Sequence, residues 1–319
     1  MEISIVVPVY NSSRTLYRLA HELRYELDKI ASQYELILVN DGSHDESWQI
    51  ISQLTSQFDW IRGIDLMRNY GQHNALLCGI RAARYDYTIT MDDDLQNPPN
   101  QIPNLIAKLE EGYDLVYGKY DEKQNHGFFR NLTSRISKRF IMRSMGINGV
   151  NEIGPYRAFR TCLRDGFFNY RDPYVCVDVL LSWSTKKIVG IPVVHDKRLD
   201  GKSQYNLKKL VMTFFNLLTG FSVLPLRLIC LYGIICVGFG ILCLLFIFSV
   251  WLIEGRLMPG FPFLACLIIL FAGAQLLALG VIGEYIARMY LRSMKSPSYV
   301  VREDSKISIN SEKRMVSLS

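Results

Sequence analysis

Three aspartates stand side by side at Asp92-Asp93-Asp94, directly after a β-favouring run (Tyr87, Thr88, Ile89, Thr90, Met91) and directly before Leu95-Gln-Asn-Pro-Pro99. Adjacent carboxylates repel, and each loses hydration where a strand end is enclosed, so a positive partner is expected beside them. Oxygen ligands one residue apart suit a hard divalent cation such as Mg²⁺ or Mn²⁺, which takes one or two carboxylates together with phosphate oxygens. On an extended chain Asp92, Asp94 and Gln96 share one side and Asp93 faces the other. The pattern assigns Asp92 and Asp94, with Gln96, to a metal and leaves Asp93 for a sugar or ribose hydroxyl. An acidic surface loop is the competing explanation, and the buried strand before the run argues against it.

The elements around this run alternate. Residues 3–9 form an apolar strand, and residues 13–30 a helix with Leu16, Leu19, Leu23 and Leu27 on one face. Residues 35–39 form the next strand, ending in Asn40-Asp-Gly-Ser-His-Asp45, where Ser43 or Asp45 caps a helix reaching residue 56. Strands follow at 61–67, 87–91 and 114–117, with helices at 72–83 and 101–111. Buried strands alternating with helices predict an α/β fold with a mainly parallel sheet, whose ligands bind at the carboxyl ends of the strands. Pro8-Val-Tyr-Asn11, Asn40-Asp41 and Asp92-Asp93-Asp94 then share one rim. The turn after the first strand contains no glycine, which excludes the dinucleotide fingerprint, and Walker A, GxSxG and zincin motifs are also missing from the sequence.

The second half of the 319-residue chain changes character. Residues 228–253 and 257–283 contain no Asp, Glu, Lys, Arg or His, and each run exceeds the roughly 20 residues a helix needs to cross a bilayer. A transmembrane hairpin is expected, with spans at 228–253 and 261–285. Lys202, Lys208, Lys209 and Arg227 precede it, Arg288, Arg292 and Lys295 follow it, and the connector offers only Arg256. The positive-inside rule puts both termini and the preceding domain in the cytoplasm. Residues 206–221 repeat Leu207, Leu210, Val211, Phe214, Leu217, Leu218 and Phe221 at helical spacing, as an interfacial helix would. The expected organisation is a catalytic domain at 1–205, an amphipathic helix at 206–227, the hairpin at 228–288 and a tail at 289–319. Seven cysteines without disulfide or zinc spacing fit a reducing compartment, and the net charge of +6 fits lipid head groups and anionic substrates. No basic block carries interleaved aromatics, so nucleic acid is not an expected partner.

Four motifs in order, Ile5-Val-Val-Pro-Val-Tyr-Asn11, Asn40-Asp-Gly-Ser43, Asp92-Asp-Asp-Leu-Gln-Asn-Pro-Pro99 and Gly201-Lys-Ser-Gln-Tyr205, resemble those of family-2 glycosyltransferases with a GT-A fold. Arg68-Asn-Tyr-Gly-Gln-His73, Pro225-Leu-Arg227 and the stretch from Gly273-Ala-Gln275 to Gly283-Glu-Tyr285 narrow the resemblance to bacterial undecaprenyl-phosphate glycosyltransferases, with dolichol-phosphate mannose synthases as more distant relatives.

That resemblance implies inverting transfer of one sugar from a nucleotide sugar, with UDP-linked donors expected first, to a polyprenyl phosphate at the bacterial inner membrane. Pro8, Tyr10, Asn11, Asp41, Asp92 and Asp93 would hold the donor, and Asp92, Asp94 and Gln96 the Mg²⁺ or Mn²⁺ on its diphosphate. Arg130, Arg157, Arg198, Lys202, Ser203 and Tyr205 would grip phosphate of the acceptor. Glu152, where relatives carry an aspartate, either orients a substrate or is a surface residue. A separate flippase would then turn the lipid-linked sugar outward for surface polysaccharide, and small residues such as Gly233, Gly238 and Gly240 permit a homo-oligomer. Three departures stand out: Ser12 where an acid is usual, Asn40 in place of Asp, and Asp93 where a small residue is commoner. Two other functions compete. A processive polysaccharide synthase would carry a Gln-x-x-Arg-Trp motif, and no Trp here follows an Arg. A silent nucleotide-sugar-binding scaffold would bind the donor without releasing nucleotide.

Overall fold

β1 (Glu2–Val9) is buried at every position after Glu2, as a strand inside a sheet covered on both faces must be. β2 (Gln33–Asn40) and β4 (Tyr87–Thr90) flank it in parallel, and β3 (Ile61–Leu66) lies parallel outside β2. With β5 (Leu115–Tyr120), β6 (Arg157–Arg160), β7 (Ile188–Val193) and β8 (Val301–Asp304) they form one sheet in the order β7-β5-β6-β4-β1-β2-β3-β8. β5 and β7 pair in parallel, while β6 and β8 are the antiparallel exceptions. This computed structural model describes residues 1–120, 154–194, 224–254, 260–294 and 296–306.

Strand alternation divides the core. Ile3, Ile5, Val7 and Val9 point to the face covered by α1 (Leu16–Ile30), α2 (Ser47–Gln57) and α4 (Ile102–Glu110). Val6, Ile37 and Val39 point to the face covered by α3 (Gln72–Ala82) and α5 (Val177–Ser184). α3 comes so close that a Cβ on Gly79 would lie 2.3 Å from Val6 Cγ1. The expected helix over 13–30 begins only at Leu16, because Thr15 closes a turn on the Ser12 carbonyl through both its N–H and its hydroxyl.

One element differs from expectation. The reading of 289–319 as a tail gives way at Val301–Asp304, an edge strand antiparallel to β3 with Asp65 opposite Glu303 and Leu66 opposite Val301. Its four residues are mostly exposed and carry three charges, so no period-2 apolar pattern marks it in the sequence.

Two units are distinct: Met1–Gln204 with Lys295–Ser319, and Tyr205–Met294. The second holds α6 (Leu224–Glu254) and α7 (Phe261–Ser293), of 31 and 33 residues. Among the described residues, no helix is long and apolar enough to cross a membrane, so the hairpin does not follow from the structure. Several side chains along both helices lie outside the described set, whereas the uncharged run over 228–253 is a fact of the whole sequence. The predicted helix over 206–221 and residues 307–319 lie outside the described residues.

Candidate active site

The carboxyl ends of β1, β2 and β4 meet as the alternation predicts. Asn11 turns the chain after β1 with φ 55°, a conformation asparagine tolerates better than most residues. Its amide N–H donates to Ser43 Oγ (3.0 Å) and its side-chain oxygen accepts from the His44 N–H (2.8 Å), lacing the β1 turn to the β2 turn. Asp45 completes that seam: it accepts from the Ser13 N–H (3.1 Å), the Ser47 N–H (3.0 Å) and the Ser47 hydroxyl (2.6 Å) at the start of α2. Pro8 is buried within β1, and Tyr10 is 46% exposed with its ring edge-on to His44 at 6.4 Å.

Asp41 is buried. Its two oxygens accept from the Tyr70 N–H (2.7 Å) and the Gly71 N–H (2.9 Å), so it organises the loop after β3. Burial raises its pKa, and these two donors oppose the shift. Each oxygen retains a second lone pair for a donor molecule. Gly42 beside it has φ +66°, and a Cβ there would lie 2.6 Å from the backbone of Arg68 and Asn69.

The three aspartates lie beyond β4, which ends at Thr90, on a turn instead of an extended strand, and each takes a different partner. Asp93 Oδ2 accepts from the Tyr10 N–H (3.4 Å), turning toward β1. Burial pushes its carboxyl up to about 6, the Ser12 hydroxyl and the Tyr10 N–H pull it down, and the Asp94 charge pushes it up further. Two sequence departures thus answer one another: an acid at position 12 would repel Asp93, whereas the Ser12 hydroxyl supports it. Asp92 Oδ1 accepts from Gln72 Nε2 (2.7 Å), and Asp94 Oδ1 accepts from the Gln96 N–H (3.1 Å) across a turn in which Leu95 takes φ 58°. Asp92, Asp94 and Gln96 are all half-buried. Two hard carboxylates on a fixed turn at the rim are a donor set that fits Mg²⁺ or Mn²⁺.

Arg157 is placed differently from expectation. It lies on β6 opposite Thr90 and is buried, with Nε and Nη2 forked onto Asp178 (2.6 and 3.0 Å). Its Nη1 donates to Thr90 Oγ1 (3.3 Å) and the Pro155 carbonyl (3.0 Å). Burial lowers the guanidinium pKa, yet the Asp178 charge outweighs it and the net shift is upward. Asp178 is correspondingly held below the usual carboxylate range despite burial. With its donors so committed, Arg157 positions β6 instead of gripping acceptor phosphate. Glu152, Arg130, Arg198, Lys202, Ser203 and Tyr205 lie outside the described residues.

A group absent from the sequence reading adjoins this pair. His73, Cys176 and Asp178 bring ligand-type atoms within 4.8 Å of one another. Three facts argue against a metal centre. Both Asp178 oxygens carry Arg157, the His73 Nδ1 accepts from the Val177 N–H (3.3 Å), and burial raises the Cys176 thiol to about 12. The cluster is a polar joint between α3, α5 and β6, buried at Cys176 and half-buried at His73 and Asp178. No short-range spacing could have found it, because His73 and Asp178 meet only through the fold.

Comparison with known proteins finds relatives along most of the chain. Glycosyl transferase family 2 matches residues 4–166. The undecaprenyl-phosphate 4-deoxy-4-formamido-L-arabinose transferase of Shewanella sediminis is 37% identical over 306 residues, covering 94% of this chain and 92% of that protein. The Aeromonas hydrophila transferase of the same name is 32% identical over 309 residues, covering 94% and 93%. Among solved structures, Mycobacterium tuberculosis glucosyl-3-phosphoglycerate synthase in complex with Mn²⁺, UDP and phosphoglyceric acid has a TM-score of 0.49 at 17% identity, covering 68% of this chain and 76% of that one. An α/β sheet with its polar turns gathered on one rim, a family match across six of its eight strands and relatives along nearly the whole chain lead to one conclusion: the chain belongs to glycosyl transferase family 2 and is a glycosyltransferase.

Proposed function

We propose that this protein transfers one sugar, with inversion, from a nucleotide sugar to undecaprenyl phosphate at the cytoplasmic face of a membrane. The observation that carries this is the 37% identity, along 94% of the chain, to a protein named for that acceptor. A UDP-linked donor is the first choice, and 4-deoxy-4-formamido-L-arabinose is the first sugar to try.

Asp92, Asp94 and Gln96 would hold Mg²⁺ or Mn²⁺, whose chemistry when bound is to neutralise charge on the departing nucleoside diphosphate. Tyr10 offers an exposed ring at the rim for the base, Asp41 holds the loop that borders it, and Asp93 would accept from a ribose or sugar hydroxyl. No general base is needed for the incoming group. A phosphate monoester has a second pKa of about 6 and is mostly dianionic at neutral pH, so the protein has to align it behind the anomeric carbon and screen its charge. Arg130, Arg198, Lys202, Ser203 and Tyr205 are proposed for that screening, and Glu152 for orienting a substrate.

The proposed membrane anchor is the hairpin of α6 and α7. Its support is the uncharged run over 228–253 and the exposure of large apolar side chains such as Leu228, Ile234, Leu242 and Ile253 around α6, which need an apolar medium.

Turnover of a nucleotide-sugar panel by purified protein with undecaprenyl phosphate tests the proposal. Nucleotide release and lipid mass would be followed with Mg²⁺, Mn²⁺ or EDTA. The expected result is a lipid heavier by one sugar, formed only with metal. Donor binding without lipid product across the panel would overturn it in favour of a silent binder.

A further inference from the structure

The segment after α7 returns to the sheet and is bonded to the rim. The Met67 N–H donates to the Val300 carbonyl (2.9 Å), and Arg302 Nη2 donates to the Met67 carbonyl (2.9 Å), so residue 67 is held at both ends of its peptide groups by the C-terminal strap. The next residues, Arg68 and Asn69, pack on Gly42, and Tyr70 and Gly71 give their N–H groups to Asp41. Loop 67–71 is therefore seated between the strap on one side and the β2 turn on the other.

Arg302 reaches that turn by a second route. Its Nη1 donates to Asp65 Oδ2 (3.1 Å), Asp65 Oδ1 accepts from Asn40 Nδ2 (2.7 Å), and Asn40 Oδ1 accepts from the Ser43 N–H (3.3 Å). Ser43 Oγ in turn receives the Asn11 N–H at 3.0 Å. Asp65 is an acceptor only, so Asn40 must present its amide to it, and an aspartate at 40 would set two carboxylates against each other. Asp65 and Asn40 are both buried, whereas Arg302 is exposed and supplies the charge from outside.

We propose that Arg302 is a positioning residue of the donor site: through Asp65 and Met67 it fixes the Asn40–Ser43 turn and loop 67–71, and so sets affinity for a nucleoside diphosphate it does not touch. This rests on the reading of the rim as a nucleotide site. A C-terminal strand outside the family-2 match at 4–166 then becomes part of the donor-binding apparatus.

The test is calorimetric titration of the full-length protein with UDP, GDP, CDP and dTDP in the presence of Mn²⁺, alongside steady-state kinetics. Arg302→Ala should weaken binding of the preferred diphosphate roughly tenfold, the loss expected for one charged hydrogen-bond relay. Donor KM should rise with it, while kcat at saturating donor and KM for undecaprenyl phosphate stay put. Arg302→Lys keeps the charge but not the two-pronged reach, and should fall between; it also serves if the alanine variant does not fold. Asp304→Asn breaks the Arg62–Asp304 pair (2.7 Å) on the same strand, and should lower Tm without moving diphosphate affinity. Equal affinity in wild type and Arg302→Ala overturns the proposal, as does a loss of Tm in which every kinetic constant falls together. If wild type binds none of the four diphosphates, the nucleotide reading itself fails.

Discussion

Asp178 and Asp92 both feel the same guanidinium, that of Arg157, yet their surroundings are opposite. Asp178 gives both oxygens to it where the guanidinium is buried. Asp92 stands half-buried at the rim and accepts from a neutral amide, Gln72. Asp94 and Asp93 likewise meet backbone N–H groups, of Gln96 and Tyr10. The comparison sets two ways of holding a carboxylate side by side: Asp178 is forked by a guanidinium, whereas Asp92, proposed above as a metal ligand, is oriented by a neutral amide.

The largest expected effect lies at the rim. Asp94→Asn keeps the oxygen that accepts from Gln96 but removes the charge, so turnover should fall by roughly 10³-fold or more while melting is nearly unchanged. Product mass and a melting curve on one preparation check both halves. A variant that lost stability in step with activity would erase the distinction between the two regions.

The polar joint should behave in reverse. Asp178→Asn leaves the Arg157 charge enclosed and unpaired, at a cost of about 3–5 kcal/mol. Replacing both partners, Arg157→Met with Asp178→Leu, should recover most of that in a denaturant titration. The sign with pH follows from the lowered pKa of Asp178. Its contribution is fully present above the unfolded carboxylate value and is lost as pH falls through the lower folded value. The gap between wild type and Asp178→Asn should therefore close toward strongly acidic pH.

Much of this architecture was legible in the chain because it depends on local pattern. β1 and β2 announce themselves by largely apolar runs and β4 by β-favouring residues, and the rim follows from the rule that polar turns end parallel strands. The Asp92-Asp93-Asp94 cluster was legible at that rim for the same reason, because it directly follows the strand Tyr87–Thr90. What stayed hidden depends on long-range pairing. Arg157 reads as one more phosphate-binding cation until Asp178 is seen beside it, and Val301–Asp304 has no strand signature because its stability comes from the partner strand β3 and from Arg62 and Asp65. Asn40, an unexplained departure in the sequence, makes sense once Asp65 is its neighbour.

A smaller effect should appear where the rim touches backbone alone. Gly42→Ala meets Arg68 and Asn69 backbone at 2.6 Å and requires φ +66°, so it should cost about 1–3 kcal/mol and displace loop 67–71. Diphosphate affinity should drop with stability here, unlike at Asp94, since loop and fold are disturbed together.

Asp93 is the intermediate case and gives the finest test. It is half-buried like its two neighbours, but desolvation holds its pKa up at about 6 against an ordinary value of 3.8. A carboxyl raised on folding keeps its proton in the native state over a range where the unfolded chain has lost it. Stability therefore falls as pH rises from about 4 to about 6, and the full cost is present above that. Asp93→Asn removes the cost, so its Tm should exceed that of wild type by about 2 °C at neutral pH, a figure reduced for partial exposure, and the excess should vanish near pH 4. Asp178→Asn shifts Tm the opposite way over its own window, so a pH series on the two variants separates a carboxylate kept charged against its surroundings from one kept charged by them. A difference for Asp93→Asn that stayed flat from pH 4 to 7 would place Asp93 with the ordinary surface acids instead.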